Sequence, residues 1–308
     1  MEKHSLCILL ITLLTSLFTL SQSDAKESDL AGSWYPATGP ELSAELDNYF
    51  KKADMKPING EIIGAVAPHA GLRFSGPVAA YAYKALMKKP PETVIIVGIT
   101  HRKYFPGRIA VCTDAFFLTP LGKARIDETL TNEILNSDSH IQGIREAFTE
   151  ENSIELQIPF VQYSMKNAKL VLIALSDQRR EICDILADAL YNVLKDKKGY
   201  VVIASADMCH HLPYDTANRQ DADTLEKIKN FDPAEYYNKS ILDQNNQRMC
   251  GFGAVYSVMK VSKELGADKA EVLKYANSGD TYGMKNSVVG YVSAVFIKNT
   301  GHEAPSAG

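Results

Sequence analysis

The stretch IIGAVAPHAG, residues 62–71, joins a short apolar run to a turn that contains a histidine and a glycine. An apolar run of this length, bounded by a turn signal, predicts a buried β-strand. In an open α/β sheet, ligand pockets form beyond the carboxyl ends of the strands. The stretch therefore places His69 where such a pocket is expected.

Two further apolar runs end in the same way. Residues 94–99 lead into His101, and residues 200–205 lead into Asp207 and His210. Because the carboxyl ends of parallel strands meet at one edge of a sheet, we expect several imidazoles to converge there. Any one of these histidines taken alone is more typical of a hydrogen-bonded structural residue, so the prediction of a site rests on their joint arrangement.

The spacing of the apolar runs indicates the fold class. Strand 62–67, a helical pattern over 76–87 and strand 94–99 form a right-handed parallel crossover, and Pro77 suits the first turn of its helix. Further strands are predicted at 108–113, 169–175, 200–205, 271–275 and 288–297, and further helices at 40–52, 126–135, 179–194, 221–229, 233–243 and 253–265. The alternation predicts one α/β domain over residues 26–299.

The acidic segment at 150–160 has a helical period, with apolar residues at 154, 158 and 161. Pro159 inside that pattern predicts a kink or a late helix start. We interpret Glu150 and Glu151 as a solvated first turn, whereas Glu155 could face a pocket. Residues 116–121 are expected to form a connection.

Composition excludes one class of partner. The chain has 308 residues, 45% of them hydrophobic, and a formal net charge of −4. A nucleic-acid-binding protein needs a basic face, so we do not expect nucleic acid as a partner.

The first residues resemble a targeting segment. Lys3 and His4 precede an apolar run at 6–20, followed by a polar stretch that ends at Ala25. This pattern predicts a secretory signal over residues 1–25, cleaved after Ala25, and hence export to the periplasm or the extracellular space. The alternative is an uncleaved membrane anchor, but the run is short for a bilayer span of about 20 residues. We expect no stable membrane insertion, and a disordered tail at 300–308.

Four cysteines follow the predicted signal: Cys112, Cys183, Cys209 and Cys250. In an exported protein they permit three full disulfide pairings, which the sequence does not rank. Cysteine as a metal ligand competes with cysteine as a bridge. Cys250 directly precedes a predicted helix, where a thiol is expected to have a lowered pKa and to bind metal or react.

Imidazole and thiolate are ligands for zinc, copper and ferrous iron. The histidines in a suitable setting are His69, His101, His210 and His211. Asp207, close to His210 in sequence, could fix the tautomer of that imidazole and make it a general acid or base. Asp207 could equally be a helix N-cap. The single tryptophan, Trp34, is either a packing residue or a pocket wall.

At these residues the sequence resembles the Memo family, known in prokaryotes as protein B of the AmmeMemoRadiSam system. The shared motifs follow one another in order along the mature chain: AGSWYPA at 31–37, APHAGLRFSGPVAAYAY at 67–83, GITHR at 98–102, SIELQIPF at 153–160, SADMCHH at 205–211 and CG at 250–251. The resemblance implies a mixed, largely parallel central sheet flanked by helices, similar to the class III extradiol dioxygenases.

The resemblance also implies the site residues. The metal ligands correspond to His69, His101 and Cys250, so a thiolate replaces the carboxylate of the dioxygenases. Asp207 and His210 would be the catalytic residues of the same pocket. Trp34 at the rim and Glu155 would bind substrate. The implied cofactor is one metal ion, with iron(II) or copper favoured and zinc as a further candidate; the sulfur ligand shifts the preference toward copper or zinc.

The resemblance to the family leaves three candidate functions open. The first is an oxygen-dependent redox enzyme, and the second is a metal carrier or a protein that binds a small ligand or peptide in the same pocket. The third is a relic pocket that holds structural zinc. The family name also implies a functional link to AMMECR-type and radical SAM proteins. Many members have a histidine where this chain has Asn152, which removes one possible pocket base.

Overall fold

The computed structural model describes residues 25–241 and 248–299. The predicted signal up to residue 24 and the predicted tail at 300–308 lie outside these residues. The strands are β1 (Ala25–Glu27), β2 (Glu61–Ala67), β3 (Thr93–Ile99), β4 (Ile109–Val111), β5 (Phe116–Thr119), β6 (Gly122–Arg125), β7 (Ile141–Gly143), β8 (Lys169–Leu175), β9 (Tyr200–Ser205), β10 (Lys269–Asn277) and β11 (Gly290–Lys298).

Ten helices lie between these strands in the described part of the chain, and a 3-10 turn, Arg145–Phe148, precedes the fourth of them. They are α1 (Gly39–Lys52), α2 (Leu72–Leu86), α3 (Glu128–Leu135), α4 (Asn152–Glu155), α5 (Ile158–Ser164), α6 (Arg180–Leu194), α7 (Tyr214–Asn230), α8 (Pro233–Ile241), α9 (Phe252–Glu264) and α10 (Ser278–Thr281).

The main sheet has eight strands in the order β10-β11-β2-β9-β3-β8-β4-β7. Its centre, β2-β9-β3-β8, is parallel, whereas β10, β11 and β4 each run antiparallel to a neighbour. The mixed, largely parallel sheet flanked by helices is therefore confirmed. The central strands are apolar along most of their length, as expected where helices cover both faces of a parallel sheet.

Alternate residues of β3 show how the core is divided. Ile95 and Val97 face the layer that contains α6 and α9, and Val94 and Ile96 face the layer that contains α1 and α2. All four side chains are fully buried. Burial of each side chain stabilises the fold by roughly 1.5–3 kcal/mol. Strand β3, which leads to His101, is therefore packed on both faces.

Three sequence predictions for the elements are wrong in part. Helix α2 begins at Leu72, not at 76, so Pro77 lies inside the helix. Residues 116–121 are not a simple connection, because β5 pairs with β6 in a hairpin that buries Phe117. Helix α7 begins at Tyr214 rather than 221; among residues 214–220 only Ala217 is buried, so this part of the helix lacks a period of apolar residues.

The break predicted at Pro159 is confirmed, since α4 ends at Glu155 and α5 starts anew with this proline in its first turn. Within residues 25–241 and 248–299, no helix has the length and apolar character needed to cross a membrane.

Candidate metal centre

Three predicted ligands meet at the carboxyl edge of the sheet. His69 follows β2, His101 follows β3, and Cys250 precedes α9; their ligand atoms all lie within 4.8 Å of one another. The Nε2 atom of His69 is 3.2 Å from the Sγ atom of Cys250. The two imidazole rings are nearly perpendicular, with centroids 5.3 Å apart. The arrangement directs two nitrogens and one sulfur at a common point.

His69 is held from its far side. Its Nδ1 atom is 2.9 Å from the Ser205 hydroxyl, and the side chain is buried. Burial is the main cause that lowers the pKa of His69 to about 3, with the nearby His101 acting in the same direction. The imidazole is therefore neutral near pH 7, which is the form that binds metal, and Nε2 faces Cys250.

His101 is held by Glu151. The Glu151 carboxylate accepts a hydrogen bond from the His101 backbone N–H at 2.6 Å and lies 2.8 Å from Nδ1. Burial acts to lower the pKa of His101, but the hydrogen bond and charge of Glu151 raise it above its usual value. Glu151 is 1% exposed, so its interpretation as a solvated residue is wrong. A carboxylate on Nδ1 leaves Nε2 free for a metal.

Cys250 is linked to the strand-end turn of β9. The backbone N–H of Asp207 donates to Sγ at 3.2 Å, and the N–H of Cys250 donates to the Asp207 carbonyl at 3.1 Å. The expected lowering of the thiol pKa is wrong for the protein without metal, because burial raises the pKa of Cys250 well above its ordinary value. Desolvation of the thiolate outweighs the nearby start of α9.

Asp207 supports the His69 turn. One carboxylate oxygen accepts hydrogen bonds from the N–H groups of His69 at 2.7 Å and Ala70 at 3.3 Å. Burial is the main cause that raises the pKa of Asp207 to about 6. The side chain is neither a helix N-cap nor a hydrogen-bond partner of His210. Among the described residues, nothing accepts from or donates to the buried Nδ1 atom of His210.

Glu155 fixes the segment that carries Trp34. Its carboxylate accepts from the N–H groups of Asp29 at 3.0 Å and Leu30 at 2.9 Å, and from the Tyr35 hydroxyl at 2.7 Å. Glu155 is buried, and these contacts tie it to the chain rather than to a pocket. Trp34 is 36% exposed.

Trp34 also connects to the His69 turn through the backbone. The N–H of Leu72, at the start of α2, donates to the Trp34 carbonyl at 2.8 Å. The segment that carries the exposed indole is thus fastened beside the turn that carries His69.

The remaining candidates do not join this cluster of ligand atoms. His211 is exposed and adopts a left-handed backbone conformation with φ of 59°. All four cysteines of the described chain are free, so none of the possible disulfide pairings is formed, and Cys112, Cys183 and Cys209 are buried.

The donor set fits the implied cofactor. Two imidazoles and a sulfur suit iron(II), copper and zinc. A carboxylate or hydroxyl partner on each Nδ1 is the usual support for metal-bound histidine. Three protein ligands are fewer than these metals take, which leaves coordination positions for water or a substrate.

Sequence reasoning missed the supporting residues. The sequence pattern assigns no site role to Glu151, Gln157 or Ser205. Asn152, a departure from the family, donates from its amide to the His69 carbonyl at 3.2 Å. Gln157 and Ser205 lie in the motifs at 153–160 and 205–211, which is the signal that could have indicated them. Glu151 lies outside both motifs, and a buried carboxylate has no distinctive sequence pattern.

Comparison with known proteins identifies the family. A family model described as "Memo-like protein" matches residues 26–295. A MEMO1 family protein of Nitrosopumilus maritimus is 35% identical over 274 residues, which cover 87% of this chain and 98% of the relative. One of Ignicoccus hospitalis is 34% identical over 278 residues, with 87% and 96% covered.

A solved structure supports the fold alone. The uncharacterized protein JW3007 from Escherichia coli K12 superposes with a TM-score of 0.52 at 11% identity, covering 76% of this chain and 99% of that one. The match of the family model to most of the chain, together with relatives of about a third identity along nearly their whole length, shows that this chain belongs to the Memo-like protein family.

Proposed function

We propose that the protein binds one metal ion through His69, His101 and Cys250 and is a non-heme iron(II)- or copper-dependent redox enzyme related to the extradiol dioxygenases. The observation that carries the proposal is the convergence of three ligand atoms within 4.8 Å. Each histidine has a partner on Nδ1, which turns Nε2 toward the shared point. A purely structural pair of histidines would not need a thiol beside them.

Iron(II) or copper would support redox chemistry at this site, and zinc is the redox-inactive alternative. Bound metal would supply the redox chemistry of the reaction. The protein would supply a desolvated edge of the sheet and the neutral His69 imidazole. Metal binding must displace the Cys250 proton, because thiolate is the ligand form.

His210 is the group we assign to proton transfer. Its Nδ1 atom is buried and has no hydrogen-bond partner in the described part of the chain. Burial is the main cause that lowers its pKa, while the charge of Asp207 opposes that effect. A neutral imidazole with an unused nitrogen can accept a proton from a bound substrate. Trp34, exposed on the segment beside the His69 turn, is proposed to contact that substrate.

The test is anaerobic reconstitution with iron(II), copper(I) or zinc, followed by elemental analysis and absorption or EPR spectroscopy. Wild type should hold one metal ion per chain, and Cys250→Ala should hold none. Cys112→Ala is the matched control, because that buried thiol lies outside the cluster of ligand atoms. Equal metal content in wild type and Cys250→Ala would overturn the proposal.

Oxygen uptake separates an enzyme from a carrier. The iron(II) or copper(I) form should consume oxygen with at least one member of a panel of catechols, and His210→Ala should slow that uptake. Uptake no greater than that of free metal would favour the carrier. A closed four-ligand zinc site without bound water would favour a structural metal.

The location of the protein is part of the proposal. The pattern of residues 1–25 supports export and cleavage after Ala25. Amino-terminal sequencing of protein recovered from cell fractions should find a chain that begins at Lys26 outside the cytoplasm. An intact amino terminus in the cytoplasm would contradict export.

A further inference from the structure

Gln157 lies behind His69, on the side away from the cluster of ligand atoms. Its Nε2 atom donates to the Ser205 hydroxyl at 2.7 Å, and that hydroxyl is 2.9 Å from Nδ1 of His69. Gln157 and Ser205 are fully buried, and His69 is 1% exposed. A buried polar chain of this kind is rigid because each member lacks water as an alternative partner.

Two further contacts fix the orientation of the Gln157 amide. Nε2 also donates to the carbonyl of Pro68 at 2.9 Å, and Oε1 accepts from the Tyr83 hydroxyl at 2.6 Å. A backbone carbonyl can only accept a hydrogen bond, so the NH₂ end of the amide must face Pro68. The reversed amide would place two acceptors in contact. Gln157 therefore presents an N–H, and not an oxygen, to Ser205.

This orientation of the amide determines which hydrogen bond the Ser205 hydroxyl can form with His69. A hydroxyl oxygen has two acceptor positions, and Gln157 occupies one of them. The other is available to the Nδ1–H of His69, which is the protonation pattern that leaves Nε2 unprotonated for a metal. The contact from Gln157 to Pro68 holds the backbone directly before His69, so the same side chain acts on the turn as well as on the ring.

We infer that Gln157 is a positioning residue that acts through Ser205 to hold the His69 ring with Nε2 directed at Cys250. Its metal-binding consequence rests on the proposed function, whereas the effect on the His69 ring does not. Gln157 lies between α4 and α5, where the break at Pro159 separates the two helices. Gln157 contacts none of the ligand atoms within hydrogen-bond distance, so its influence on metal must pass through His69.

A double-mutant cycle tests this route. Gln157→Leu keeps the approximate side-chain volume and removes both hydrogen-bonding ends, and Ser205→Ala removes the hydroxyl. Metal affinity is measured anaerobically for each single variant and the double variant by competition with a chromophoric chelator. We expect Ser205→Ala to weaken binding by about 10- to 100-fold, as is typical for partners of metal-bound histidine, and Gln157→Leu, one step further from the metal, to weaken it by no more than that. In the double variant the two effects should be less than additive.

Loss of a buried hydrogen bond also destabilises the fold, so a matched control is needed. Thr93→Val removes the buried contact from the Thr93 hydroxyl to Asp127, at the opposite end of β3 from His101. This variant should be destabilised without a change in metal affinity. Tyr83→Phe is the milder test, because it removes only the hydroxyl that fixes the amide; we expect about 2- to 10-fold weaker binding, as for one neutral hydrogen bond.

A second readout does not need metal. In ¹⁵N-labelled apoprotein, the imidazole nitrogen resonances of His69 report its tautomer and hydrogen bonds, and both Gln157→Leu and Tyr83→Phe should shift them. The inference is overturned if these resonances stay at their wild-type positions, or if the Gln157 and Ser205 effects on affinity are additive. Wild-type protein that binds no metal would refute the proposed function, and the resonances would still decide the role of Gln157.

Discussion

Glu151 and His101 are joined at two points: one carboxylate oxygen accepts the His101 backbone N–H at 2.6 Å, and the other lies 2.8 Å from Nδ1. The second oxygen also accepts the Ser153 N–H at 2.8 Å. One buried carboxylate thus fixes the ring, the backbone and the start of α4. Burial is the largest single effect on the pKa of Glu151, and it acts to raise that pKa. The hydrogen bond and the charge of His101 together outweigh burial and hold the pKa of Glu151 below its usual range.

Glu151→Gln is expected to weaken metal binding by about 10- to 100-fold, because the amide no longer fixes the His101 tautomer with a full negative charge. The measurement is chelator competition under anaerobic conditions. Glu150→Gln is the control: Glu150 is adjacent in sequence, but its exposed carboxylate pairs with Arg102. Equal affinities for the two variants would refute the assigned role of Glu151.

Asp207→Ala is expected to destabilise the apoprotein, because it leaves the buried N–H groups of His69 and Ala70 without their acceptor. Each unsatisfied buried donor costs about 1–3 kcal/mol. Asp207→Asn keeps an oxygen acceptor and should stay closer to wild type. Urea unfolding of the apoproteins measures both, and similar free energies for the two variants would show that the carboxylate does not support the turn.

The position of the candidate site can be predicted from the sequence, but the residues that hold its histidines in place cannot. Each of His69 and His101 follows an apolar run and a turn in the sequence. This pattern is local, so it can be recognised from the sequence alone. The Glu151 side chain is buried by a contact 50 residues away in sequence, with His101. Such a contact depends on the assembled sheet and has no local pattern.

The dependence of burial on tertiary contacts also explains why the start of α7 was not predicted. In residues 214–220 of α7, only Ala217 is buried, so no apolar period marks this part of the helix. Asp221, in the next turn, is buried and accepts hydrogen bonds from the Cys209 backbone N–H and the Tyr275 hydroxyl, which are tertiary partners. The period of apolar residues therefore predicts the second part of the helix and not the first.

Glu155→Ala is expected to release the segment that carries Trp34. Its carboxylate accepts three hydrogen bonds from residues 29, 30 and 35, so we expect a loss of roughly 2–4 kcal/mol in the free energy of unfolding. Trp34 is the only tryptophan of the chain, so its fluorescence reports this segment alone. Emission should shift to the red, and quenching by acrylamide should increase, while far-UV circular dichroism stays near wild type.

Tyr35→Phe is the graded control, because it removes one of the three donors to Glu155. Its effect on stability and on Trp34 quenching should lie between wild type and Glu155→Ala. Unchanged emission and quenching in Glu155→Ala would show that other contacts hold the segment.

Asp177 is expected to make an acid-dependent contribution to the stability of the loop that follows His101. It is 3% exposed and accepts hydrogen bonds from the Arg179 guanidinium at 2.7 Å and from the Gly107 N–H at 3.1 Å, in the loop that follows His101. The hydrogen bond from the Arg179 side chain is the main cause that lowers the pKa of Asp177.

Because the folded-state pKa of Asp177 lies below the unfolded value of about 3.9, its contribution to stability is fully present above pH 3.9 and is lost as the pH falls through the folded value. Asp177→Asn should therefore reduce the free energy of unfolding at pH 7 by about 1–3 kcal/mol, and the difference from wild type should shrink toward pH 3. Urea unfolding at both pH values is the measurement.

Asp47→Asn is the control. The pKa of Asp47 is lowered by an exposed pair with Lys51, and such a pair contributes little to stability. A difference between wild type and Asp177→Asn that stays constant from pH 7 to pH 3 would show that the charge of Asp177 does not hold the His101 loop.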